Sequence, residues 1–548
     1  MNPGTLYRML EARAQQRSDE LAFTFIRSRS SPRSYTYGEL FESAEEIAER
    51  IADRGLTTRV GPLGILLGTQ EAQTLHFLAA LRAGAVPAIL TPPNPKLNRD
   101  YYLRTMSVVL RRTRLSGLIS DLDGFDAPTS RFQPHDLTPC GPNEPVLHDS
   151  EGPLPPEASF LQFSSGTTGI KRGVLVTDDA VIAQLETYAD ALAVTRDDVI
   201  ASWLPLYHDM GFIACLNMPL FAGLHTVVLD PIEWVTAPVS LLQAMSDFHA
   251  TLSWNPNFAY AFMAQRVGVV DAEHLDLSSV RGFINCSEPV THASQQQFLD
   301  RFRGHGLRDD VFLGCYAMAE TTFALTHGEP TMTGATDPIG PVGVARRPGS
   351  DPYVSVGQAL PGVELQVVND EDDALPDRKI GEIWVRSPFN FAGYFGEREA
   401  SEGAFHDDWY RTGDLGYRVG DSWYITGRKK DVLIIGGVNV FPSDLEELAS
   451  NVDGIVSGRV AAFTSFDGRM QTDRLTILAE SDLDGTDAHR TILEVRQRIL
   501  AGFQIANFEV HLVPPGWLVK SSSGKMARLA SRDKWHQAGV GATRGVND

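Results

Sequence analysis

Cysteine is scarce in this chain: four residues in 548, at Cys140, Cys215, Cys286 and Cys315. None forms a CxxC pair, so the spacing supplies neither a disulfide framework nor a zinc knuckle, and a reducing compartment is the simpler expectation. Positive charge is also in deficit. Lys and Arg number 48 against 69 Asp and Glu, a formal net charge of −21. That balance argues against a chain that coats nucleic acid or an anionic membrane, while leaving room for a small basic pocket around a phosphate. No apolar run reaches the ~18 residues of a membrane span. The opening stretch, MNPGTLYRMLEARAQQRSDE, has no apolar h-region. A soluble, cytoplasmic protein is therefore expected. Internal repeats, low-complexity tracts and a GxxxxGK[ST] phosphate loop are all missing.

What is present is ordinary for a folded chain: 43% hydrophobic and 21% charged residues. Single cores stop growing near about 250–300 residues, so this length predicts two to four folding units. In the first third, Leu40, Ala44, Ile47, Ala48 and Ile51 recur at helical spacing, with Gly55 placed to end the helix. Gly64–Leu67 reads as a short buried strand, Thr74–Ala83 as helical, and Ala85–Leu90 as an apolar run stopped by Pro92 and Pro93. Strand-like runs follow at Val174–Val176, Val199–Leu204 and Thr226–Leu229, with helical segments between. This alternation predicts an α/β fold with largely parallel sheets, whose ligands sit at the carboxyl ends of strands.

Composition changes twice further on. Residues 329–354 are rich in Pro and Gly and read as a loop or extended insertion, followed by β-rich patterns. Near Gly427–Asp431 a small α/β unit begins: strand VLII, loop GGVNVFP, helix SDLEELASNV. Ser443 suits the N-cap of that helix, with Glu446 completing a capping box.

The segment Phe160–Val174, FLQFSSGTTGIKRGV, carries the most chemistry. A strand runs into hydroxyls and glycines, then two cations, then another strand. Small residues let backbone N–H groups approach phosphate oxygens, and Lys171 and Arg172 can offset their charge. A polar hairpin with solvated cations accounts for the composition equally well.

Six further segments occur in one order: Trp203–Gly211 (WLPLYHDMG), Cys286–Pro289 (CSEP), Gly314–Thr321 (GCYAMAET), Tyr410–Asp414 (YRTGD), Gly427–Asp431 (GRKKD) and Ser521–Lys525 (SSSGK). With SSGTTGIKRG they resemble the motif series of the adenylate-forming superfamily, which includes acyl-CoA synthetases, peptide-synthetase adenylation domains and luciferases. The resemblance runs along nearly the whole chain. It implies a large N-terminal domain over residues 1–427, of mixed, mostly parallel sheets flanked by helices. A hinge at 428–430, centred on Lys430, and a small mobile α/β domain over 431–548 follow.

The resemblance also implies roles, and each has a physical basis. Ser164, Ser165, Gly166, Thr167, Thr168, Gly169 and Arg172 would cradle the phosphates of ATP; Ser287 and Glu288, in the adenine-flanking turn, and Thr321 would also bind the nucleotide. Tyr316 would offer a flat face to adenine, Asp414 would accept the ribose hydroxyls, and Arg428 would reach ribose or phosphate. Glu320 is a hard oxygen ligand suited to Mg²⁺. His208 joins Glu320 and Lys525 in the catalytic set. Lys525 would bridge substrate carboxylate and nucleotide, offsetting the repulsion between two anions that must meet.

The place where amino-acid-activating relatives carry an amine-binding Asp holds His208, which argues against an α-amino acid substrate. Trp203, Trp234, Asn257, Phe258 and Cys286 would line an acyl pocket, or stand as core residues; Cys286 would narrow that pocket or serve as a buried small hydrophobe. LPLYHDMGFIACLNMPLFAG, LDPIEW, SWNPNFAY and Phe441–Glu446 are most similar to the fatty acyl-AMP ligase branch. That branch is known for an insertion in the large domain that hinders CoA use, expected here within 329–354. The implied reaction is ATP-dependent activation of a carboxylic acid, with transfer to an acyl carrier protein. CoA as acceptor stays open, as does, from another class, a catalytically silent adenylate-binding module. Lys171 and Arg172 stand where Pro and Lys are usual, and Cys286 and Ser287 where Gly and Ala are usual.

Overall fold

The structure is a computed structural model. It describes residues 4–27, 30–57, 61–93, 99–121, 154–164, 171–329, 335–341, 352–435, 438–467, 472–503, 505, 508–520 and 526–538.

Two sheets form the body of the chain before residue 400. The first has seven strands in the order Phe312–Gly314, Gly282–Cys286, Leu252–Pro256, Val199–Ser202, His225–Leu229, Leu21–Arg27 and Ser30–Thr36. Every neighbouring pair is parallel except the last. The second has six strands, in the order Gly393–Tyr394, Gly173–Thr177, Ala158–Phe163, Pro87–Ile89, Leu63–Leu66 and Gly117–Ser120. Its last four run parallel, while Gly173–Thr177 pairs antiparallel on both sides. Strands covered on both faces are buried at every position, as Leu252–Pro256 is. Polar residues inside such a strand must find partners there: Ser253 Oγ donates to the Ala201 carbonyl, and Asn255 donates to Ser253.

The expected α/β alternation is present. The amphipathic helix spans Tyr37–Asp53, with all five periodic residues buried and a Thr36–Glu39 capping box at its start. The helix read from Thr74 begins earlier, at Gln70, because Thr69 caps it through a hydrogen bond from the Ala72 N–H. Of the run Ala85–Leu90 only Pro87–Ile89 is strand. Within 329–354, the described residues contribute one antiparallel pair, Thr336–Asp337 with Tyr353–Val354; residues 330–334 and 342–351 lie outside the described residues.

A five-stranded sheet follows, built on Glu364–Val368, Gly381–Arg386 and the long strand Trp409–Val419, with Phe405–His406 and Ser422–Arg428 also pairing with that last strand. Beyond it, Val460–Asp467, Thr472–Glu480 and Phe508–Val513 form a three-stranded sheet accompanied by helices Pro442–Ser450, Gly485–Phe503 and Arg528–Ala538. The apolar clusters of this last part run from Leu433 onward. They share no member with the clusters that end at Ile425.

One expectation fails here. Ser443 does not cap its helix; Phe441 stands at the N-cap and Pro442 takes the first turn, where its missing N–H costs nothing. Glu446 is drawn away from any capping box by Arg528, which binds both its carboxylate oxygens at 2.7 Å. No helix among the described residues is long and apolar enough to cross a membrane.

Candidate active site

The phosphate-loop candidate leaves strand Ala158–Phe163 and returns on Gly173–Thr177. Its two ends are pinned together: the Ser164 N–H donates to the Arg172 carbonyl at 3.0 Å, and Ser164 Oγ accepts from the Arg172 N–H at 3.4 Å. Ser165, Gly166, Thr167, Thr168 and Gly169 lie outside the described residues, as does Lys525.

The two cations at the loop's exit point in different ways. Arg172 pairs with Glu397 at 3.2 Å and lies 4.9 Å from the Tyr394 ring centroid. Lys171 turns inward. Its Nζ donates to Thr91 Oγ1 at 3.1 Å and sits 5.6 Å from the centroid of Tyr207. Burial pushes its pKa down to about 8, against the pull of Asp209.

Asp209 belongs to the WLPLYHDMG segment, which turns beside the loop. Its carboxylate also acts on Glu320 and Cys286. His208 precedes it, with its ring 5.1 Å from that of Tyr207. The chain then enters a π-helix over Met210–Asn217, a wide form that concentrates at functional sites.

Glu320 lies in a single 3-10 turn, Ala319–Thr321. Three contacts hold that turn. Gln162 Nε2 donates to the carbonyls of Ala319 and Thr322, at 2.8 and 2.9 Å, and the Phe391 N–H donates to the Glu320 carbonyl at 2.9 Å. Thr322 takes a positive φ of 62° there, a strained backbone for a β-branched residue. Tyr394 Oη donates to Glu320 Oε1 at 3.0 Å. Burial raises the Glu320 pKa, and this hydrogen bond works the other way by favouring the carboxylate. Thr321 is fully buried, its hydroxyl near the carbonyls of Met318 and Phe323 in its own turn.

Tyr316, Asp414 and Arg428 meet although they lie far apart in sequence. Tyr316 Oη donates to Asp414 Oδ2 at 2.7 Å, and Arg428 Nε lies 2.9 Å from Asp414 Oδ1. Asp414 and Arg428 are cross-strand partners of the hairpin formed by Trp409–Val419 and Ser422–Arg428. Asp414 holds Arg428 firmly charged, while burial and the Asp414 charge raise the Tyr316 phenol well above its ordinary pKa. Lys430, two residues on, is exposed in the short turn Lys429–Asp431.

The acyl-pocket candidates divide. Trp203 and Trp234 are buried and stacked, with ring centroids 3.6 Å apart and planes 9° apart. Trp203 Nε1 donates to Asn255 at 2.7 Å. Phe258 is half-buried and packs edge-on against both indoles. Asn257 is spent on structure: its Oδ1 accepts from Asn285, the Thr291 N–H and Ser294, tying three elements together. Cys286 is buried, its Sγ 3.0 Å from Met210 Sδ. Ser287 adopts a φ of 70° beside it. Glu288 accepts the Phe258 N–H at 3.1 Å, near the start of helix Asn257–Arg266.

Three residues absent from the sequence-based set complete the geometry. Tyr394 arrives because Gly393–Tyr394 pairs with Val174–Leu175 on the loop's exit strand. Gln162 faces the Glu320 turn from the loop's entry strand. Lys520, at the edge of the small C-terminal unit, places its Nζ 5.9 Å from the Phe258 ring centroid. The sequence holds a partial signal for each: Gln162 is polar in an apolar strand, Tyr394 follows the first Pro-bounded turn after GEIWVR, and Lys520 precedes the SSSGK run.

Known proteins resemble the chain over most of its length. The family model described as "AMP-binding enzyme" matches residues 10–395. The medium-chain-fatty-acid–[acyl-carrier-protein] ligase JamA of Moorena producens is 28% identical over 97% of this chain and 95% of that protein. The long-chain-fatty-acid–AMP ligase FadD26 of Mycobacterium marinum is also 28% identical, over 97% of both chains. Among solved structures, one from a study of fatty acyl-adenylate ligases of E. coli and L. pneumophila superposes with a TM-score of 0.84 at 26% identity, covering 98% of each chain. With the motif order, the fold and the assembled Tyr316–Asp414–Arg428 cluster in hand, this chain belongs to the AMP-binding enzyme family.

Proposed function

We propose that the chain activates a carboxylic acid, fatty or otherwise apolar, with ATP, and passes the acyl group to the phosphopantetheine thiol of an acyl carrier protein. The observation that carries the reading is the cluster at the end of the Trp409–Val419 hairpin. Asp414, flanked by Tyr316 at 2.7 Å and Arg428 at 2.9 Å, offers an ionised acceptor for paired sugar hydroxyls beside an aromatic face. The half-buried aromatic Phe258 beside stacked Trp203 and Trp234 favours an apolar substrate. The names of JamA and FadD26 support an acyl-adenylate route.

In the first step a carboxylate oxygen bonds to the α-phosphorus of ATP and the bond to the pyrophosphate oxygen breaks. Lys525 supplies a cation between the two anions, and Lys171 adds positive charge at the loop exit. Glu320 fits Mg²⁺: it is a half-buried carboxylate oriented through Oε1 by Tyr394, and Mg²⁺ on a nucleotide needs only one or two protein carboxylates. When bound, that ion would neutralise charge on the phosphates. Tyr394 and Gln162 orient Glu320 for it. His208 stands next to Asp209, whose charge acts on Glu320, and is assigned to the same catalytic set. In the second step the thiol sulfur bonds to the acyl carbon and AMP leaves.

The large domain is assigned to residues 1–427, the hinge to 428–430 and the small domain to 431–548, turning about Lys430 between the steps. The described cysteines are all free thiols, which supports a reducing, cytoplasmic setting. Carboxylate-dependent pyrophosphate exchange, run across medium and long fatty acids, aryl acids and amino acids, tests the reading. Exchange with fatty acids that disappears in Lys525→Ala supports it; exchange with none of them overturns it. Efficient acyl-CoA formation without transfer to a phosphopantetheinylated carrier would replace the acceptor.

A further inference from the structure

A cation of the small C-terminal unit reaches the acyl-pocket candidates. Lys520 is the last described residue before Met526, with which it forms an antiparallel bridge. The two residues before it are fixed to its own unit. The Leu518 N–H donates to Glu480, the Val519 N–H donates to Ser531, and the Val519 carbonyl accepts from the Ala527 N–H. Its side chain leaves that unit and reaches Phe258, 5.9 Å from the ring centroid.

Phe258 is itself held in place. Its N–H donates to Glu288 at 3.1 Å, and its ring packs edge-on against Trp203 and Trp234. An ammonium above this ring therefore meets an electron-rich face and a nearby carboxylate together. The Glu288 charge favours the protonated lysine, as does Glu480, while burial and Arg459 oppose it and bring the pKa down to about 8.

We propose that Lys520 is a positioning residue, whose ammonium on the face of Phe258 fastens the small domain to the acyl pocket for the adenylation step. The inference rests on the proposed two-step reaction. It explains why a tethered segment carries a half-buried cation toward a hydrophobic site. It also makes closure sensitive to the acyl pocket, because the ring that receives the cation is the ring that the acyl chain would touch. Release of the cation frees the small domain to turn for transfer, so Lys520 is needed in one step and not in the other.

The test separates the half-reactions in the full-length protein. For Lys520→Met, the rate of fatty-acid-dependent pyrophosphate exchange should fall about 10-fold or more, the size of a partly desolvated cation–π contact beside a charge. Consumption of preformed dodecanoyl-adenylate with pantetheine as the thiol should stay within about 2-fold of wild type. Lys520→Arg keeps a cation able to stack on the ring and should restore exchange. A merely structural role would lower both half-reactions together. Equal loss in both, loss in neither, or no rescue by arginine with transfer intact overturns the inference alone. A wild-type protein that exchanges no pyrophosphate removes the reading beneath it, and the inference with it.

Discussion

Asp414 shows how much one carboxylate does in this site. It accepts from Tyr316 and pairs with Arg428, so its charge organises both neighbours. Asp414→Asn keeps the shape and removes the charge. The KM for ATP in pyrophosphate exchange should rise about 10- to 100-fold, as expected when a charged acceptor of a substrate hydroxyl is lost. An unchanged KM would place the ribose elsewhere.

Lys171 gives a second prediction at the same scale. Its pKa is about 8 in the fold against 10.5 as the ordinary value. Between those values the unfolded chain holds a proton that the folded chain lacks, so this group adds stability as pH rises through the window. Below about pH 8 both states are protonated and the buried charge only costs. Urea unfolding of wild type and Lys171→Met at about pH 7.5 and 9.5 checks the sign: wild type should gain on the variant at the higher pH. The window stops short of pH 10 because buried phenols such as Tyr316, whose pKa is raised, act in the opposite direction above it.

Single residues were legible in proportion to how local their roles are. Tyr316, Asp414 and Arg428 sit in short runs of unusual composition, and the structure brings them into contact. Tyr394 carries only a partial signal, because its part in the site is created by a strand pairing with Val174, remote in sequence. Arg172 was read with the phosphates, yet Glu397 and Tyr394, equally remote, take its side chain.

Elements follow the same rule at larger range. Helix Tyr37–Asp53 has a hydrophobic face that repeats at helical spacing and a local capping box, so its whole course is readable. The start of helix Pro442–Ser450 was misread because the fate of Glu446 is decided by Arg528, 82 residues later. Close approach of strands is also invisible in sequence. A Cβ on Gly314 would lie 2.2 Å from the Ser355 carbonyl oxygen and 2.9 Å from Val356 Cα, both backbone atoms that cannot step aside. Gly314→Ala should therefore destabilise the protein by about 3 kcal/mol, or prevent folding, by overpacking beneath Tyr316. Thermal unfolding followed by circular dichroism measures this, and a melting temperature equal to wild type would refute it.

For the whole molecule, the division between apolar clusters is the dominant fact. Among the described residues, the clusters on one side end at Ile425 and those on the other begin at Leu433, so residues 426–432 join separate cores. Lys430, exposed in the connecting turn, is the proposed pivot of the backbone rotation. Lys430→Pro, which restricts that rotation, should leave pyrophosphate exchange near wild type and slow acyl transfer to a thiol by about 10-fold or more. Equal rates in both assays would move the pivot away from 430.

The stacked indoles of Trp203 and Trp234 have an optical consequence. At 3.6 Å between centroids and 9° between planes, their transitions couple, and the pair should give an excitonic signature in the ultraviolet that isolated tryptophans lack. The protein thus contains its own probe beside Phe258, at the proposed acyl pocket. Titrating a fatty acid while recording that band would show a chain that wedges between the rings as a collapse of the couplet. A chain that merely lies over Phe258 would leave the band standing.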